Sequence, residues 1–434
     1  MMIKDYLNKL IIGSIILCAG ALFYAGCEVT NPGPVQDQFL NEPGAFGAVA
    51  EGANFSVSQA LWQVSYMGEE SIKNVTRAGR NFCCPKVPPR IGDFRREVGG
   101  DISTVWNTTQ RARWVAEDGY RRFVNELGEA EAKNLEEAAK IKLSAGYANR
   151  ILGENVCEAV IDGGEIMPYT EYFERAEGAF STAIEIGNNV GRSDIVTAAY
   201  AGRASVRATG LNNWQDALQD ADQVDEDFNW EAIYTSLETA QFNHMYELGS
   251  GNPWVDWTIL DTFFEGYYDD TGDPRASWED TGREDTPLGL TLLQQQKYTS
   301  RSDNVNLSSG REMILLRAEN ALRNENLADA MTYINQLRTS VTSDATGEAL
   351  EEKTADTIEE GWTALKEERR VELWLEGRYM WDLRRWIADN TPGEQEDMSE
   401  RIRLCIPIPN SEADSNPNFG RDHQDPVNPT YTGG

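Results

Sequence analysis

Apolar residues that recur every three or four positions are the feature that most constrains the fold of this 434-residue chain. Between residues 101 and 123 such residues form one helical stripe, made of Val105, Trp106, Ala112, Val115, Ala116, Gly119, Tyr120 and Phe123. The same spacing returns over residues 134–152 and 169–186. Helices that each carry an apolar stripe must bury it against one another, so the sequence predicts a mainly α fold.

Several of the predicted helices come in pairs. Residues 194–209 and 214–224 flank a short turn, and small residues would let the two helices approach closely; these are Ala199, Gly202, Ala204, Ala208, Ala217 and Ala221. One spacing repeats on three second helices, as Phe173/Ala176/Phe180, Trp214/Ala217/Ala221 and Leu327/Ala330/Ile334. The pattern resembles degenerate tetratricopeptide repeats, which are helix–turn–helix units of ~34 residues. Stacked units of this kind form a curved scaffold.

The helical pattern is interrupted once at length. Residues 229–311 are rich in Trp, Tyr, Gly, Asp and Pro and show little helical period, which predicts a loop-rich insertion with a few short strands. We therefore divide the chain into a helical-repeat part (41–228), the insertion (229–311) and a C-terminal helical part with an extended tail (312–434). Further predictions are a helix over residues 43–66, a long loop over 68–100 and one long helix over 357–388.

The N-terminus predicts an export signal. Lys4 and Lys9 precede an uncharged, mostly apolar run over residues 10–25, which is shorter than the ~20 residues that a membrane span needs. The run ends in Tyr24-Ala25-Gly26-Cys27, which resembles the lipobox of bacterial lipoproteins. We expect a signal peptide over residues 1–26, lipidation of Cys27 and a lipid-anchored tether over 27–40, with the lipid as the membrane anchor. An ordinary cleaved signal with an incidental cysteine is the alternative.

Charge and histidine content exclude several functions. The chain has 39 basic and 71 acidic residues, a net charge of −32, which repels nucleic acid and anionic lipid. His244 and His423 are the only histidines, which disfavours zinc sites and histidine-dependent hydrolases. No cofactor or metal is expected, although Asp269-Asp270-Thr-Gly-Asp273 distantly resembles a calcium loop without its full spacing. The adjacent Cys83 and Cys84 could bond to each other or pair elsewhere.

The C-terminal third carries a family resemblance. In order, it contains Asp273-Pro274-Arg275, Lys297-Tyr298, residues 311–319, 330–338 and 368–386, residues 406–412 and Asn416-Pro-Asn. This order and spacing resemble the SusD/RagB family of outer-membrane nutrient-binding lipoproteins over most of the chain. The block over residues 368–386 is the most specific. We expect it to pack the final helix against the repeats, with Arg378 attracting Asp382 and Glu372 repelling Glu376 one helical turn apart.

The resemblance implies a role. Related proteins sit on the outer face of the outer membrane, as a lid over a SusC-like TonB-dependent transporter. They capture oligosaccharides, or sometimes peptides, and have no catalytic activity. Their repeat helices pack against the transporter, and their inserted loops bind the ligand.

A sugar site needs aromatic rings for stacking and polar groups for the hydroxyls. Two stretches supply both types, and the candidate ligand-binding residues are Asn74, Arg77, Arg80, Asn81 and Phe82 in the first and Trp254, Trp257, Tyr267, Tyr268 and Trp278 in the second. Trp254, Tyr268 and Trp278 are favoured because they lie beside Gly, Pro or Asp rather than on a periodic stripe.

Two other functions stay open at this point. The many acidic residues could include the paired carboxylates of a secreted glycoside hydrolase on a helical scaffold. The repeats could also bind only proteins, without a small ligand. The nature of the ligand is open too, between a glycan, a glycopeptide and a peptide.

Overall fold

The computed structural model describes residues 37–78, 100–249, 255–285 and 288–433. The predicted signal peptide, the lipidation site Cys27, Arg80, Asn81, Phe82, Trp254 and the Cys83-Cys84 pair lie outside these residues. Within them, no helix is long and apolar enough to cross a membrane. The described end of the predicted tether is a 3-10 turn, Asp37–Asn41, and not extended chain. Arg122 holds this turn, with its Nη2 atom 2.7 Å from Asp37 Oδ1.

Helices dominate the described chain, which confirms the mainly α prediction. In chain order they are α1 (Phe46–Ser71), α2 (Gly100–Leu127), α3 (Glu129–Ala132), α4 (Glu136–Asn155), α5 (Thr170–Val190), α6 (Ser193–Ser205), α7 (Trp214–Ala221), α8 (His244–Gly249), α9 (Phe263–Thr271), α10 (Gly310–Arg323), α11 (Leu327–Thr339), α12 (Ile358–Glu372), α13 (Tyr379–Ala388) and α14 (Asn410–Ser415). Polar residues just before four of them accept a hydrogen bond from the first turn, and these are Asn213, Ser309, Asn326 and Thr357. They fix where α7, α10, α11 and α12 begin.

The strands are short and pair two by two. They are β1 (Thr76–Arg77), β2 (Glu158–Val160), β3 (Ile166–Pro168), β4 (Asn229–Ala232), β5 (Trp257–Thr258), β6 (Trp278–Glu284), β7 (Thr291–Gln295) and β8 (Val305–Ser309). The antiparallel pairs are β1–β5, β2–β3, β4–β8 and β6–β7. Five of the strands lie in the predicted insertion, as expected for a loop-rich segment with few strands. Helices α8 and α9 also lie in this segment, and the sequence, which shows little helical period there, did not predict them.

The repeat helices pack through glycine contacts. Helices α4, α5, α6 and α7 contact one another in sequence, and α10 contacts α11. The fully buried ring of Phe180 lies against two of these helices, because a Cβ atom on Gly146 would come within 2.5 Å of it and one on Gly202 within 3.0 Å. A Cβ on Gly153 would likewise lie 2.8 Å from the ring of Phe173. The small residues predicted to bring α6 and α7 together lie in one buried cluster, which includes Ala204, Ala217 and Ala221 and confirms the predicted pair.

One buried cluster runs through all three predicted parts of the chain. It includes Phe46 on α1, Trp257 on β5 and Leu315 on α10. The inserted strands therefore share a core with the helices that they interrupt.

The prediction of one helix over residues 357–388 is wrong, because α12 and α13 are separated by a break. Leu375 and Gly377 adopt left-handed backbone angles, with φ of 61° and 70°. Lys297 occupies the break, where its Nζ atom donates to the carbonyl oxygens of Glu372 at 3.1 Å and Trp374 at 2.7 Å. The same Nζ donates to the Glu376 carboxylate at 2.9 Å. A lysine distant in sequence thus satisfies the end of α12.

The break also changes the charge pairing predicted for this block. Asp382 accepts from Arg369 at 2.9 Å rather than from Arg378. Arg378 instead donates to Glu312 on α10 at 2.7 Å, and Arg385 donates to Glu319 at 2.6 Å. Burial alone would raise the pKa of Glu319, but Arg385 lowers this pKa to about 2. The block packs the chain end against the repeats as expected, mainly through ion pairs between distant residues, with one pair inside α13, where Arg385 lies 2.7 Å from Asp382.

The tail is fastened to the β2–β3 hairpin, which the sequence did not predict. Cys157 and Cys405 form a disulfide with their Cα atoms 4.9 Å apart. Beside it, Cys157 N donates to the Ile406 carbonyl at 3.0 Å, and Ile406 N donates to the Asn155 carbonyl at 2.7 Å. The chain end is therefore held both covalently and by backbone hydrogen bonds.

Candidate ligand-binding site

The two stretches predicted to bind ligand meet in the structure. Strand β1 pairs with β5, which places Thr76 opposite Thr258 and Arg77 opposite Trp257. The residue after β5 is hydrogen-bonded to β7, because Ile259 N donates to the Leu293 carbonyl at 3.0 Å. The inserted lobe is therefore built directly onto the segment that follows α1.

Arg77 anchors this junction. Its guanidinium lies 3.3 Å from the Glu70 carboxylate and 3.4 Å from that of Asp256, and its side chain is 9% exposed. Burial alone would lower the pKa of Arg77, but Glu70, Tyr66 and Asp256 raise it. Arg77 is thus a fixed cation that neutralises buried carboxylates.

Asn74 is completely buried. Its Nδ2 atom donates to Glu69 at 2.7 Å, and its Oδ1 atom accepts from Arg370 at 2.8 Å. Burial raises the pKa of Glu69 to about 7, against the opposing effects of Asn74, the Leu375 amide and Arg370. These contacts assign Asn74 to the packing of α1 on α12, in place of the predicted contact with ligand.

Trp257 and Tyr267 are also buried, which corrects their predicted role. The Trp257 ring packs where a Cβ on Gly249 would lie 2.8 Å away. The Tyr267 hydroxyl donates to Asp273 at 3.0 Å and accepts from Arg338 at 2.8 Å. Large aromatic side chains mostly bury, and these two fill the interior of the lobe.

The distant resemblance to a calcium loop does not fit the structure. Asp273 is buried and binds Arg275 through both carboxylate oxygens, at 3.0 Å and 2.7 Å. Arg275 continues to Glu368 at 2.6 Å and Glu372 at 2.8 Å. A carboxylate already committed to a guanidinium is a poor ligand for Ca²⁺, so this segment is a structural turn.

Tyr268 and Trp278, called the aromatic pair below, are brought together at the surface of the lobe. Both are half-buried, and their ring centroids lie 6.2 Å apart at an interplanar angle of 68°. Trp278 Nε1 donates to the Glu265 carbonyl at 3.3 Å, which fixes its ring against α9. The Tyr268 hydroxyl donates to Asp344 at 3.2 Å. Of the predicted residues that the structure describes, these two combine partial exposure with mutual contact.

Acidic side chains surround the aromatic pair. Asp269 and Asp270 follow Tyr268 on α9, Asp280 lies two residues beyond Trp278 on β6, and all three are exposed, as is Asp344. The pKa of Tyr268 is raised by its slight burial and by the negative charges of Asp344 and Asp269. Its hydroxyl therefore stays protonated and donates a hydrogen bond. The surface suits a ligand that carries hydroxyl groups and no negative charge.

Apart from the aromatic pair, the described chain has an opening between α1, α4 and the β4–β8 pair, called the second opening below. It has a volume of about 320 Å³ and is lined mainly by apolar residues that include Val57, Tyr147, Trp230, Ile233 and Leu307. Ile233 is 49% exposed at its edge. Trp230 was not among the predicted site residues, although its place in the aromatic-rich insertion was a signal for it.

One group in the described chain has the composition of a metal site. Glu158, His423 and Asp425 each place a ligand atom within 4.8 Å of the others. The sequence disfavoured such a site because it contains only two histidines. It could not show that the tail brings His423 next to Glu158 on β2.

Comparison with known proteins identifies the scaffold. Residues 311–426 match the SusD family. No curated protein matches the sequence of the whole chain.

Solved structures match over much more of the chain. A SusD-like carbohydrate-binding protein from Bacteroides vulgatus aligns with 15% identity over 88% of this chain and 98% of its own, at a TM-score of 0.61. Surface glycan-binding protein A from Bacteroides uniformis aligns with 14% identity over 87% and 99%, at 0.63. NanU from B. fragilis aligns with 13% identity over 92% and 98%, at 0.60. At these identities the likeness concerns the fold.

Proposed function

We propose that this chain, whose residues 311–426 match the SusD family, is a surface lipoprotein of the outer membrane that binds an oligosaccharide and delivers it to a TonB-dependent transporter. The observation that carries the proposal is the half-exposed aromatic pair on the inserted lobe of a SusD-like scaffold. Two of the similar structures are described as carbohydrate- or glycan-binding proteins, which supports the same ligand class here.

The aromatic pair suits a chain of sugar rings. Sugars present flat C–H faces, which stack on aromatic rings, and hydroxyl edges, which need hydrogen-bond partners. Trp278 is held rigid by its bond to the Glu265 carbonyl, so it loses little entropy when a sugar stacks on it. The Tyr268 hydroxyl oxygen and the Asp344 carboxylate offer hydrogen-bond acceptors beside it.

Two of the similar structures carry the names of binding proteins, and we infer that this chain likewise binds glycans rather than cleaves them. The glycoside hydrolase alternative makes a different prediction. Incubation with a panel of plant and host glycans should release no reducing sugar, whereas a hydrolase would release it.

Calorimetry with neutral oligosaccharides tests the ligand site. The Tyr268→Ala/Trp278→Ala double variant should bind the best ligand at least about tenfold more weakly, because two stacking surfaces worth together more than ~1.4 kcal/mol are lost. The matched control is Trp114→Ala on α2, since Trp114 is 47% exposed and lies outside the inserted lobe. Trp230→Ala probes the second opening in the same way. An unchanged affinity in the double variant would place the ligand elsewhere, and binding of peptides alone would refute the ligand class.

The lipid anchor and the transporter are tested together. Growth with a labelled fatty acid should label the chain, and Cys27→Ala should abolish the label. Purification of the lipidated chain in mild detergent should recover a large TonB-dependent barrel encoded nearby. If no barrel co-purifies under any mild condition, the proposed partner is wrong, and a scaffold for other proteins becomes the better hypothesis.

A further inference from the structure

Three metal-ligating side chains converge where the tail meets the β2–β3 hairpin. Glu158 lies on β2, and His423 and Asp425 lie on the tail. One ligand atom from each residue lies within 4.8 Å of the other two. His423 Nε2 is 2.5 Å from Glu158 Oε2. The group is separate from the aromatic pair and does not depend on the glycan-binding proposal.

The surrounding structure fixes these residues in advance. The disulfide between Cys157 and Cys405 ties the start of the tail to the residue before Glu158. Farther along, Asn416 Nδ2 donates to the Gly164 carbonyl at 2.9 Å, which holds the tail against the turn of the hairpin. Ile408 N donates to Asp425 Oδ1 at 3.1 Å and so orients that carboxylate. Hydrogen bonds of this kind to a ligand commonly support metal sites.

We propose that Glu158, His423 and Asp425 bind a divalent transition-metal ion of the Zn²⁺ type. One imidazole nitrogen and two carboxylate oxygens are ligands that Zn²⁺ accepts, whereas Ca²⁺ and Mg²⁺ prefer oxygen alone. When the ion binds, any proton shared by His423 Nε2 and Glu158 leaves to solvent, and these two atoms move apart to admit the ion. Three protein ligands leave the fourth tetrahedral position to a water molecule.

Charge and access both favour a cation here. Two carboxylates next to one imidazole give the group net negative charge in a chain whose net charge is −32. Asp425 is only 5% exposed, whereas the side chains of Glu158 and His423 are 18% and 24% exposed, so an ion can enter from solvent. A simple ion pair would require only Glu158 and His423. The third carboxylate, that of Asp425, lies within 4.8 Å of both of them.

The test is a calorimetric titration of the purified protein, stripped with EDTA and with its free thiols alkylated, using ZnCl₂ and, separately, CaCl₂ and MgCl₂. We expect one equivalent of Zn²⁺ to bind and to raise the midpoint of thermal unfolding, with no comparable effect of Ca²⁺ or Mg²⁺. His423→Ala should weaken Zn²⁺ binding at least ~100-fold, and Glu158→Gln at least ~10-fold. His244→Ala, which removes the other histidine, should leave binding unchanged.

Several outcomes would overturn the proposal. These are the absence of a saturable one-to-one phase, wild-type affinity in His423→Ala, and equal binding of Ca²⁺. A thermal midpoint for each metal-free variant shows whether it is folded. Glu158→Gln keeps the shape of a partly exposed side chain, so it decides the question even if His423→Ala does not fold.

Discussion

Replacing Gly202 with alanine should destabilise the protein relative to the same change at Gly178. Both glycines lie in helix interiors, Gly202 in α6 and Gly178 in α5. A Cβ on Gly202 would lie within 3.0 Å of three atoms of the Phe180 ring, whereas one on Gly178 would meet nothing within 4 Å. The two substitutions therefore share their helix propensity and differ in packing.

The structure sets the magnitude of the difference. Alanine is better than glycine in a helix interior by about 1 kcal/mol, so Gly178→Ala should stabilise the protein by roughly that amount. At Gly202 the same gain is opposed by overpacking, which typically costs ~1–3 kcal/mol. The Phe180 ring cannot move away, because it is fully buried and also contacts Gly146, where a Cβ would lie 2.5 Å from it, and the ring of Tyr147, whose centroid lies 5.1 Å away. Gly202→Ala should thus be less stable than Gly178→Ala by about 1–3 kcal/mol.

Urea unfolding followed by circular dichroism at 222 nm measures this difference. The two variants should share the wild-type m-value and differ in midpoint, with Gly178→Ala above the wild type. If Gly202→Ala stabilised the protein as much as Gly178→Ala, the Phe180 ring would not be held between α4 and α6. The close packing of α4, α5 and α6 described above would then be refuted.

Three further predictions follow from the network around the helix break and from the aromatic pair. Lys297→Met should lower the free energy of unfolding in urea by ~3–5 kcal/mol, because it leaves the 4%-exposed Glu376 without its cation. The control Lys353→Met breaks a more exposed pair with Glu367 and should lower it by under ~1 kcal/mol. Similar losses in the two variants would contradict the role of Lys297. The pKa of Glu69 in the folded state, about 7, lies above its unfolded value, so its contribution to stability is lost as pH rises through 7. Glu69→Gln should therefore gain up to about 3 kcal/mol over the wild type at pH 8 and much less at pH 5, and an equal effect at both pH values would refute the raised pKa. At the aromatic pair, a neutral oligosaccharide should bind more tightly than a uronic-acid oligosaccharide of equal length, by a margin that shrinks as salt is added; tighter binding of the acidic ligand would contradict the role of the surrounding carboxylates.

The helices could be predicted from the sequence because their signals are local. An apolar stripe such as that of α2 is set by neighbouring residues, and capping residues such as Asn213 mark where helices begin. Gly202 belongs to a set of small residues from which a closely packed helix could be predicted. These features need no knowledge of distant parts of the chain.

The features that the sequence did not reveal depend on contacts between distant residues. The break between α12 and α13 is stabilised by Lys297, and the disulfide joins residues separated by 248 positions. Pairs such as Arg385 with Glu319 replace the helical-turn pairs that spacing alone suggested. Helical periodicity carries no information about such partners.

The candidate site was predictable in part. Tyr268 and Trp278 were favoured because their neighbours are Gly, Asp or Pro rather than a helical stripe, and the structure places them together at the surface. Trp257 and Tyr267 have the same aromatic side chains but are buried by tertiary packing, and Asn74 is buried as well. Residue type alone does not distinguish a buried aromatic side chain from an exposed one.

A crystal structure of the protein with its best-binding neutral oligosaccharide tests the central claim most directly. We predict a sugar ring stacked on Trp278, with the ligand hydroxyls hydrogen-bonded to Tyr268 and Asp344. A ligand seated in the opening beside Trp230, or on the repeat helices away from the inserted lobe, would contradict it.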